Sequence, residues 1–484
     1  MAFKDLREFI DKLEAEGELV RIKQEVDWNL EAGAIIRKCE ETMDGPAPLF
    51  EKFKGYPEGY RLLGDPFSSG IKKFAIAAGL PLNMSYQDTY RALMDLWDEG
   101  LANMIKPRIV STGPCKENIL KGDEVNLYKL PALMLHDGDG GRYIGSLHTT
   151  VAKDPDSDWV NWGCYRQMIH NKNHLGGFVA PAQDMASIFG KFEVENKPMP
   201  FATAIGTDPI ITAVSVSALP FGVSEADVAG GIRKEPIDLV KCETNDLYVP
   251  ATTEVVLEGH VLPNVRMDEG PFGEYTGYRA SPRAPRIVYR IDCITHRNDP
   301  ILTAVVEGIP ITTSHSACAI TWAAGIRKAL RDEGLPIIDV NIEPQAGLFI
   351  AVISTKTPYP GIAHRIASVA WGCKSGQFVP KLMVVDDDIS PYNMNEVIHA
   401  FGSKCHPVRG THTVPYAAGN PLIPYQNLEE RLWAKGCRVL YDCTWPVDWP
   451  REIAVPPRSA FNSIYPKAIQ EKVLANWKNY GFKK

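Results

Sequence analysis

Two glutamates, Glu269 and Glu274, flank a Gly-Pro-Phe-Gly turn in the stretch EGPFGEYTGY, residues 269–278. Paired carboxylates at one site divide labour when their surroundings separate their pKa values. One stays ionised while the other is held neutral enough to give up a proton. An arginine beside them would grip an anionic substrate through two parallel bonds. Gly270, Pro271 and Gly273 impose backbone shape, and Phe272, Tyr275 and Tyr278 suit a packed turn better than a solvated loop. A polar loop carrying two acids for solubility is the commoner explanation of such a spacing taken alone.

A second group lies in WVNWGCYRQMIHNKNHLGG, where Asn161 and Arg166 sit at a predicted strand end among Trp159, Trp162 and Tyr165. An arginine buried among aromatic rings needs an anionic partner. His170 and His174 have the i, i+4 spacing that chelates metal on a helix, but with no HExxH context they read as structural. Gln183 and Asp184 follow in PAQDM, and Glu225 in PFGVSEADVAGG. Asn, Asp and Glu oxygens are hard ligands that suit Mg2+ or Mn2+, though their wide separation here forms no local metal signature. The Gly-Gly of DVAGGIRKEP could approach a phosphate but is neither a P-loop nor a dinucleotide fingerprint. Lys374, between glycines in WGCKSGQ, is a reasonable phosphate grip.

Three differently patterned stretches must position these residues. Leu6, Phe9, Ile10 and Leu13 predict an amphipathic helix over 5–16 that stops at Gly17, and ELVRIKQEV predicts a strand. Ser85 is a plausible N-cap with Asp88 at N3, opening a helix that buries Tyr90, Leu93, Met94 and Trp97. From about 115 to 305 short strands alternate with turn clusters, and DPDSD separates two β-rich runs as in a hairpin. Strands at that spacing suggest a barrel or sandwich. Beyond 310 helices and strands alternate, as in an α/β layer. The expected fold is therefore mixed α/β: an N-terminal α+β unit over 1–114, a strand-rich centre over 115–308 and a C-terminal α/β part over 309–484. Pro-rich turns join the parts, so tight packing between them is expected. The last helix carries Ile469, Val473, Leu474 and Trp477 on one face, suited to docking on a neighbouring subunit or on its own chain.

Composition narrows the classes. The 484 residues are 45% hydrophobic and 23% charged, ordinary globular values, with a formal net charge of −7. That charge disfavours non-specific attraction to nucleic acid or to an anionic membrane. Ten cysteines at irregular spacing form no CxxC pair, which fits free thiols in a reducing cytoplasm. The charged N-terminus shows no signal-peptide pattern, and no apolar run is long enough for a membrane span. A cytoplasmic protein is expected.

Taken in order, HDGDGGRYI, WVNWGCYR, GVSEADVAGG, DLVKCETNDLYVPATTEVVLEG and EGPFGEYTGY resemble the UbiD family of prenylated-FMN-dependent (de)carboxylases, nearest to its ferulate and aromatic acid branch. The resemblance implies a central split β-barrel that binds prenylated FMN and a C-terminal α/β domain used in oligomerisation. It implies that Arg166, Glu269 and Glu274 form a catalytic Arg-Glu-Glu network. Asn161, Asp184 and Glu225 fall where the family ligates a divalent ion, usually Mn2+; many members have histidine where this chain has Asp184. Main-chain oxygens near Trp162 and Ser217, with Glu225, would hold K+. Cys164, Tyr165, Arg166, Gln183 and Lys374 fall at cofactor-contacting positions, Lys374 reaching the phosphate.

The same resemblance implies non-oxidative, reversible decarboxylation of an aromatic or α,β-unsaturated carboxylic acid. Arg166 would orient the substrate carboxylate, Glu269 would stay ionised, and Glu274 would deliver the proton, its own pKa raised by burial. Cys318, Asn420 and Leu422 are substrate-pocket candidates, the polar Asn420 hinting at a ring with hydroxyl groups or heteroatoms. A flavin prenyltransferase would supply the cofactor, and a homodimer or homohexamer is expected. Two other classes remain: an FMN-dependent oxidoreductase on a split barrel, and a non-catalytic subunit of a carboxylase complex.

Overall fold

A computed structural model describes residues 3–42, 44–68 and 70–482. The first helix, Leu6–Ala15, begins where the Asp5 side chain accepts a hydrogen bond from the Glu8 N–H, and it buries Leu6, Phe9, Ile10 and Leu13. The helix expected after Ser85 spans Tyr86–Ala102; the Ser85 hydroxyl accepts from the Asp88 N–H, and Tyr90, Leu93, Met94 and Trp97 are buried. Only Leu19–Ile22 of the predicted ELVRIKQEV strand is extended. It joins Ala47–Phe50, Arg61–Gly64 and Ile301–Ala304 in a four-stranded sheet. The last of these comes from the end of the central region and pairs parallel with Arg61–Gly64, so the chain returns to its N-terminal unit before entering the C-terminal part.

The central sheet has nine strands and curls into a half-barrel. Its spine is a long antiparallel hairpin, Val255–Glu269 against Ala284–His296, that closes with Glu269 opposite Ala284. EGPFGEYTGY thus starts on the last residue of one long strand and runs into the loop before the next. The DPDSD hairpin is present, pairing Thr149–Lys153 with Val160–Gly163 and placing Ala152 opposite Asn161.

Three helices interrupt a region that the strand pattern left helix-free: Asp184–Val194, Pro209–Ser215 and Glu225–Arg233. Local caps account for two of them. Asp208 accepts from the N–H groups of Ile210 and Ile211 ahead of a proline at the first turn, and the Ser224 hydroxyl accepts from the Asp227 N–H. All three are too short for a long helical period to emerge. His170 and His174 do not share a helix face; they lie on the adjacent strands Gln167–Asn171 and His174–Gly177. Gly230 and Gly231 form no phosphate loop. They lie inside Glu225–Arg233, where an added Cβ would meet the carbonyl of Ile105 at 2.4 Å and that of Gly100 at 2.5 Å, so they permit close helix packing.

The C-terminal part is a five-stranded mixed sheet. It includes the expected strands Ile350–Thr355 and Lys381–Asp386, and also Ile337–Ile342, Thr411–Ala418 and Lys435–Cys443. The helices Thr313–Asp332, Ile362–Gly372 and Met394–Lys404 alternate with these strands. One hydrophobic cluster runs from Leu6 and Trp97 through Val214 to Ile326 and Leu382, so all three stretches share a core. The Tyr90 hydroxyl ties them further, donating to the Ala319 carbonyl at 2.8 Å and accepting from the Ile342 N–H at 3.3 Å. None of the ten cysteines is in a disulfide. Among the described residues no helix is long and apolar enough to cross a membrane.

Leu93 is fully buried at this junction. Leu93→Ala leaves a cavity and is expected to destabilise the protein by about 2–5 kcal/mol, read as a lowered denaturant midpoint; an unchanged midpoint would show that the junction collapses freely around the gap.

Candidate active site

Three separate segments build the acid end of the site. Arg166 precedes the strand Gln167–Asn171, Glu269 ends Val255–Glu269, and Glu274 lies in the turn beyond. The guanidinium donates from Nε to Glu269 Oε1 and from Nη2 to Glu269 Oε2, both at 2.9 Å, in a two-pronged pair. Its Nη1 donates to Glu274 Oε1. Side-chain exposures are 8% for Arg166, 0% for Glu269 and 6% for Glu274, so solvent screens these charges little. Glu269 also accepts from the Tyr143 hydroxyl at 2.8 Å. Burial, and next the negative charge of Glu269, push the Tyr143 pKa up and keep that hydroxyl a donor. The Arg166 plane lies against Phe178 at 4.8 Å and Phe272 at 5.1 Å.

HDGDGG, residues 136–141, clamps the acid turn, a role that none of its residue types announces. Asp139 Oδ1 accepts from the Gly273 N–H at 3.0 Å and Oδ2 from the His136 N–H at 3.1 Å. The Gly140 N–H donates to the Pro271 carbonyl at 2.8 Å. Gly270 has φ +84°, a conformation that side chains rarely adopt, and a Cβ on Gly140 would meet its carbonyl oxygen at 2.1 Å. The His136 Nε2 donates to the Glu307 carbonyl at 2.8 Å and so ties the clamp to the end of the central part.

Arg166 and Glu274 line a cavity of about 260 Å³, and so do Asn161, Trp162, Cys164, Tyr165, Gln183, Asp184, Ser217, Glu225, Cys318, Lys374, Asn420 and Leu422. Glu269 is the one predicted site residue outside that lining. Every other predicted position is therefore brought to one hollow, although the residues span more than half of the chain. Tyr275, expected only to pack the turn, lines it as well, and so do Glu307 and Ser314, which were not singled out in the sequence, where nothing local marks them.

At the cavity's second polar end, Asp184 and Glu225 are the first residues of their helices, where the helix dipole favours negative charge. Asn161 bridges them, its amide donating to Glu225 Oε1 at 3.2 Å and Asp184 Oδ2 at 3.4 Å. Glu225 Oε2 accepts from the Trp162 N–H at 2.9 Å, and Lys374 pairs with Asp184. Burial pushes Glu225 up to about 8, although the Trp162 N–H works against that shift. Among the described residues no lysine or arginine pairs with Glu225 directly. A cation set against it would restore its charged form, so this oxygen-rich set fits a divalent ion. The Gln183 side chain accepts from the Ala180 N–H at 2.7 Å, and the Asn420 amide donates to the Tyr275 hydroxyl at 2.5 Å.

Comparison with known proteins decides the family. Models of the 3-octaprenyl-4-hydroxybenzoate carboxy-lyase N-terminal, Rift-related and C-terminal domains match residues 10–97, 108–310 and 315–443. The chain belongs to the UbiD family of carboxy-lyases. It is 33% identical to the pyrrole-2-carboxylic acid decarboxylase of Pseudomonas aeruginosa, over 99% of this UbiD chain and 98% of that one. It is 31% identical to ferulic acid decarboxylase 1 of Saccharomyces cerevisiae, over 99% and 98%. Vanillic acid decarboxylase of Sedimentibacter hydroxybenzoicus in its closed form superposes with a TM-score of 0.89 at 32% identity, covering 99% of both chains. An evolved dimeric form of the UbiD-class enzyme HmfF from Pelotomaculum thermopropionicum, in complex with prFMN, gives 0.79 at 29% identity, covering 94% of this chain and 97% of that one.

Gly140→Ala tests the clamp. The added methyl must displace the acid turn, and turnover is expected to fall by about 10²-fold, the order of loss for a misplacement of about 1 Å. Far-ultraviolet circular dichroism should stay unchanged; wild-type turnover would show that the turn tolerates displacement.

Proposed function

We propose that this chain is a prenylated-FMN-dependent, non-oxidative decarboxylase of an aromatic or α,β-unsaturated carboxylic acid, with Arg166, Glu269 and Glu274 as its catalytic network. One observation carries the reading: a single buried guanidinium joins both glutamates, and only one of the two carboxylates opens into the cavity. That asymmetry suits one fixed counter-charge and one mobile proton.

When bound, prenylated FMN supplies the electron sink that lets the bond between substrate carbon and carboxylate break. Asn161, Asp184 and Glu225 would hold Mn2+ or Mg2+ beside the cofactor phosphate, with Lys374 as a second positive contact. Trp162 and Ser217, through main-chain oxygens, and Glu225 would hold K+. Gln183, Cys164 and Tyr165 would line the flavin. Burial raises Cys164 to about 12 and lowers His148 to about 4, so the thiol and imidazole 3.9 Å apart are both neutral at neutral pH and the thiol is not the reactive thiolate.

Arg166 binds and orients the substrate carboxylate. Glu269 accepts from both prongs of Arg166 and from Tyr143, so both of its oxygens are held in place against the guanidinium. Glu274 has the single bond to Arg166 and faces the cavity, so it delivers the proton that replaces CO2 on the carbon. Phe178 and Phe272 keep water from the guanidinium faces. A flavin prenyltransferase is the implied cofactor supplier. A homodimer or homohexamer is supported by the exposure of Ile469 and Leu474, 45% and 63%, on the last helix, Lys467–Ala475.

Protein made without a prenyltransferase should release little CO2, and co-expression should restore release; equal activity with plain FMN would overturn the reading, and nicotinamide-dependent turnover would favour an oxidoreductase. In the loaded enzyme, Glu274→Gln should lower turnover by about 10²–10⁴-fold, the range for general acid catalysis, with little change in substrate affinity. Arg166→Ala should impair both. If Glu269→Gln abolishes proton exchange into the product and Glu274→Gln does not, the two roles are reversed. Glu225→Ala should lose metal and flavin together on purification, measured by elemental analysis and the visible spectrum; full retention of both would remove Glu225 from the ligand set.

A further inference from the structure

Glu307 is a buried carboxyl in the cavity for which the acid network has no use. It is 7% exposed, and among the described residues no basic side chain pairs with its oxygens. Its partners are two hydroxyls from the start of the helix Thr313–Asp332: Thr312 Oγ1 donates to Oε2 at 2.8 Å, and Ser314 donates to Oε1. Burial pushes its pKa up, and these two bonds only oppose that shift. Its backbone is fixed on both sides, since the His136 Nε2 donates to the Glu307 carbonyl and Arg37 donates to that of Val306 at 3.0 Å.

Much of the remaining wall is apolar, and the Trp322 indole N–H, which has no partner among the described residues, is a donor that cannot accept from a ring. Trp322, Leu348, Phe378, Val216 and Leu422 line this wall, and the Tyr275 hydroxyl and Asn420 amide are already bonded to each other. As a carboxylate, Glu307 has about four acceptor sites, and here two are taken. An apolar ring seated against Glu307 would leave the others dry and unpaired, whereas a ring hydroxyl or ring N–H would meet them.

On the decarboxylase reading given above, we propose that Glu307, supported by Ser314, is the specificity-determining acceptor of the cavity, and that the acids this chain takes carry a hydrogen-bond donor on the ring. The substrate is then held at two places, its carboxylate on Arg166 and its ring donor on Glu307. Asn420, bonded to Tyr275, shapes the wall between them.

The test compares matched acids with and without the donor: 4-hydroxycinnamate with cinnamate, 3- and 4-hydroxybenzoate with benzoate, and pyrrole-2-carboxylate with furan-2-carboxylate. The loaded wild-type enzyme should show kcat/KM about 10–100-fold higher for the donor-bearing member of at least one pair, the order expected when a buried polar group is left unmatched. Glu307→Leu should bring that ratio to near one or below, and Glu307→Gln, which keeps an acceptor oxygen, should keep part of it. Ser314→Ala should lower it less and serves if the Glu307 variants fold poorly. The ratio of dissociation constants, read by calorimetry on protein loaded with plain FMN, should move in parallel. A wild-type ratio near one in every pair, or a ratio unchanged within two-fold in both Glu307 variants, overturns the assignment. If the loaded enzyme decarboxylates none of the acids, the decarboxylase reading fails, and the calorimetric ratio still decides whether Glu307 selects a ring donor.

Discussion

A buried arginine with two carboxylates around it is the constraint on which the rest of this structure depends. A guanidinium cannot shed its charge inside a protein, so its donors must be met and its faces covered. Here Nε and Nη2 are met by Glu269, Nη1 by Glu274, and the faces by Phe178 and Phe272. Truncating either the arginine or Glu269 would strand a buried charge, a loss of about 3–5 kcal/mol in comparable pairs. The site is therefore rigid because folding demands that it be rigid. On the role proposed for Arg166, a substrate carboxylate would meet a guanidinium whose orientation is already fixed, and little entropy would remain to be lost on binding.

Holding that triad sets what the surrounding chain must do. Glu269 is fixed because it ends a long strand whose partner begins directly opposite at Ala284. Glu274 stands beyond the regular pairing and needs the HDGDGG clamp to position it. The clamp in turn requires glycine at 140, where backbone approaches backbone with no room for a side chain. The other polar end follows a different rule. Asp184 and Glu225 each begin a helix, so the backbone supplies part of the positive potential that two nearby carboxylates require. Lys374 and Asn161 supply more, and burial still pushes Glu225 up to about 8.

What was legible in the sequence follows the reach of each interaction. The helices at Leu6 and Tyr86 were plain because their caps and apolar faces are local patterns. The half-barrel could be anticipated from its strands and turns, and the hairpin around DPDSD from that turn alone. The helices that begin at Asp184 and Glu225 were hidden by their shortness, and so was the reason two acids 41 positions apart should meet. His170 and His174 share a spacing with helical chelators but sit on two strands of a hairpin, where a four-residue interval has another meaning. Asp139 and Glu307 carried no signal because their contacts, to Gly273 and to the residues around the cavity, lie in tertiary structure or depend on which way a loop turns.

The same reasoning explains why the cavity lies where the three stretches meet. The central half-barrel contributes Arg166, Asn161, Asp184 and Glu225, its acid turn adds Glu274, and the C-terminal part adds Cys318, Lys374, Asn420 and Leu422. No one stretch could place a guanidinium, a carboxylic acid and an ammonium around one small hollow, since each must be satisfied by its own local partners first. The packing that joins the parts is apolar and continuous from Leu6 to Leu382, and contacts such as Tyr90 to Ala319 cross it at fixed positions. A shared core of this kind couples the C-terminal wall to the acid network: a shift of the helix Thr313–Asp332 moves Ser314 and Cys318 relative to Glu274. Because close-packed interiors deform in discrete steps rather than continuously, the distance between Glu307 and Glu274 is set by how the core packs, and any chemistry in the cavity inherits its geometry from that packing.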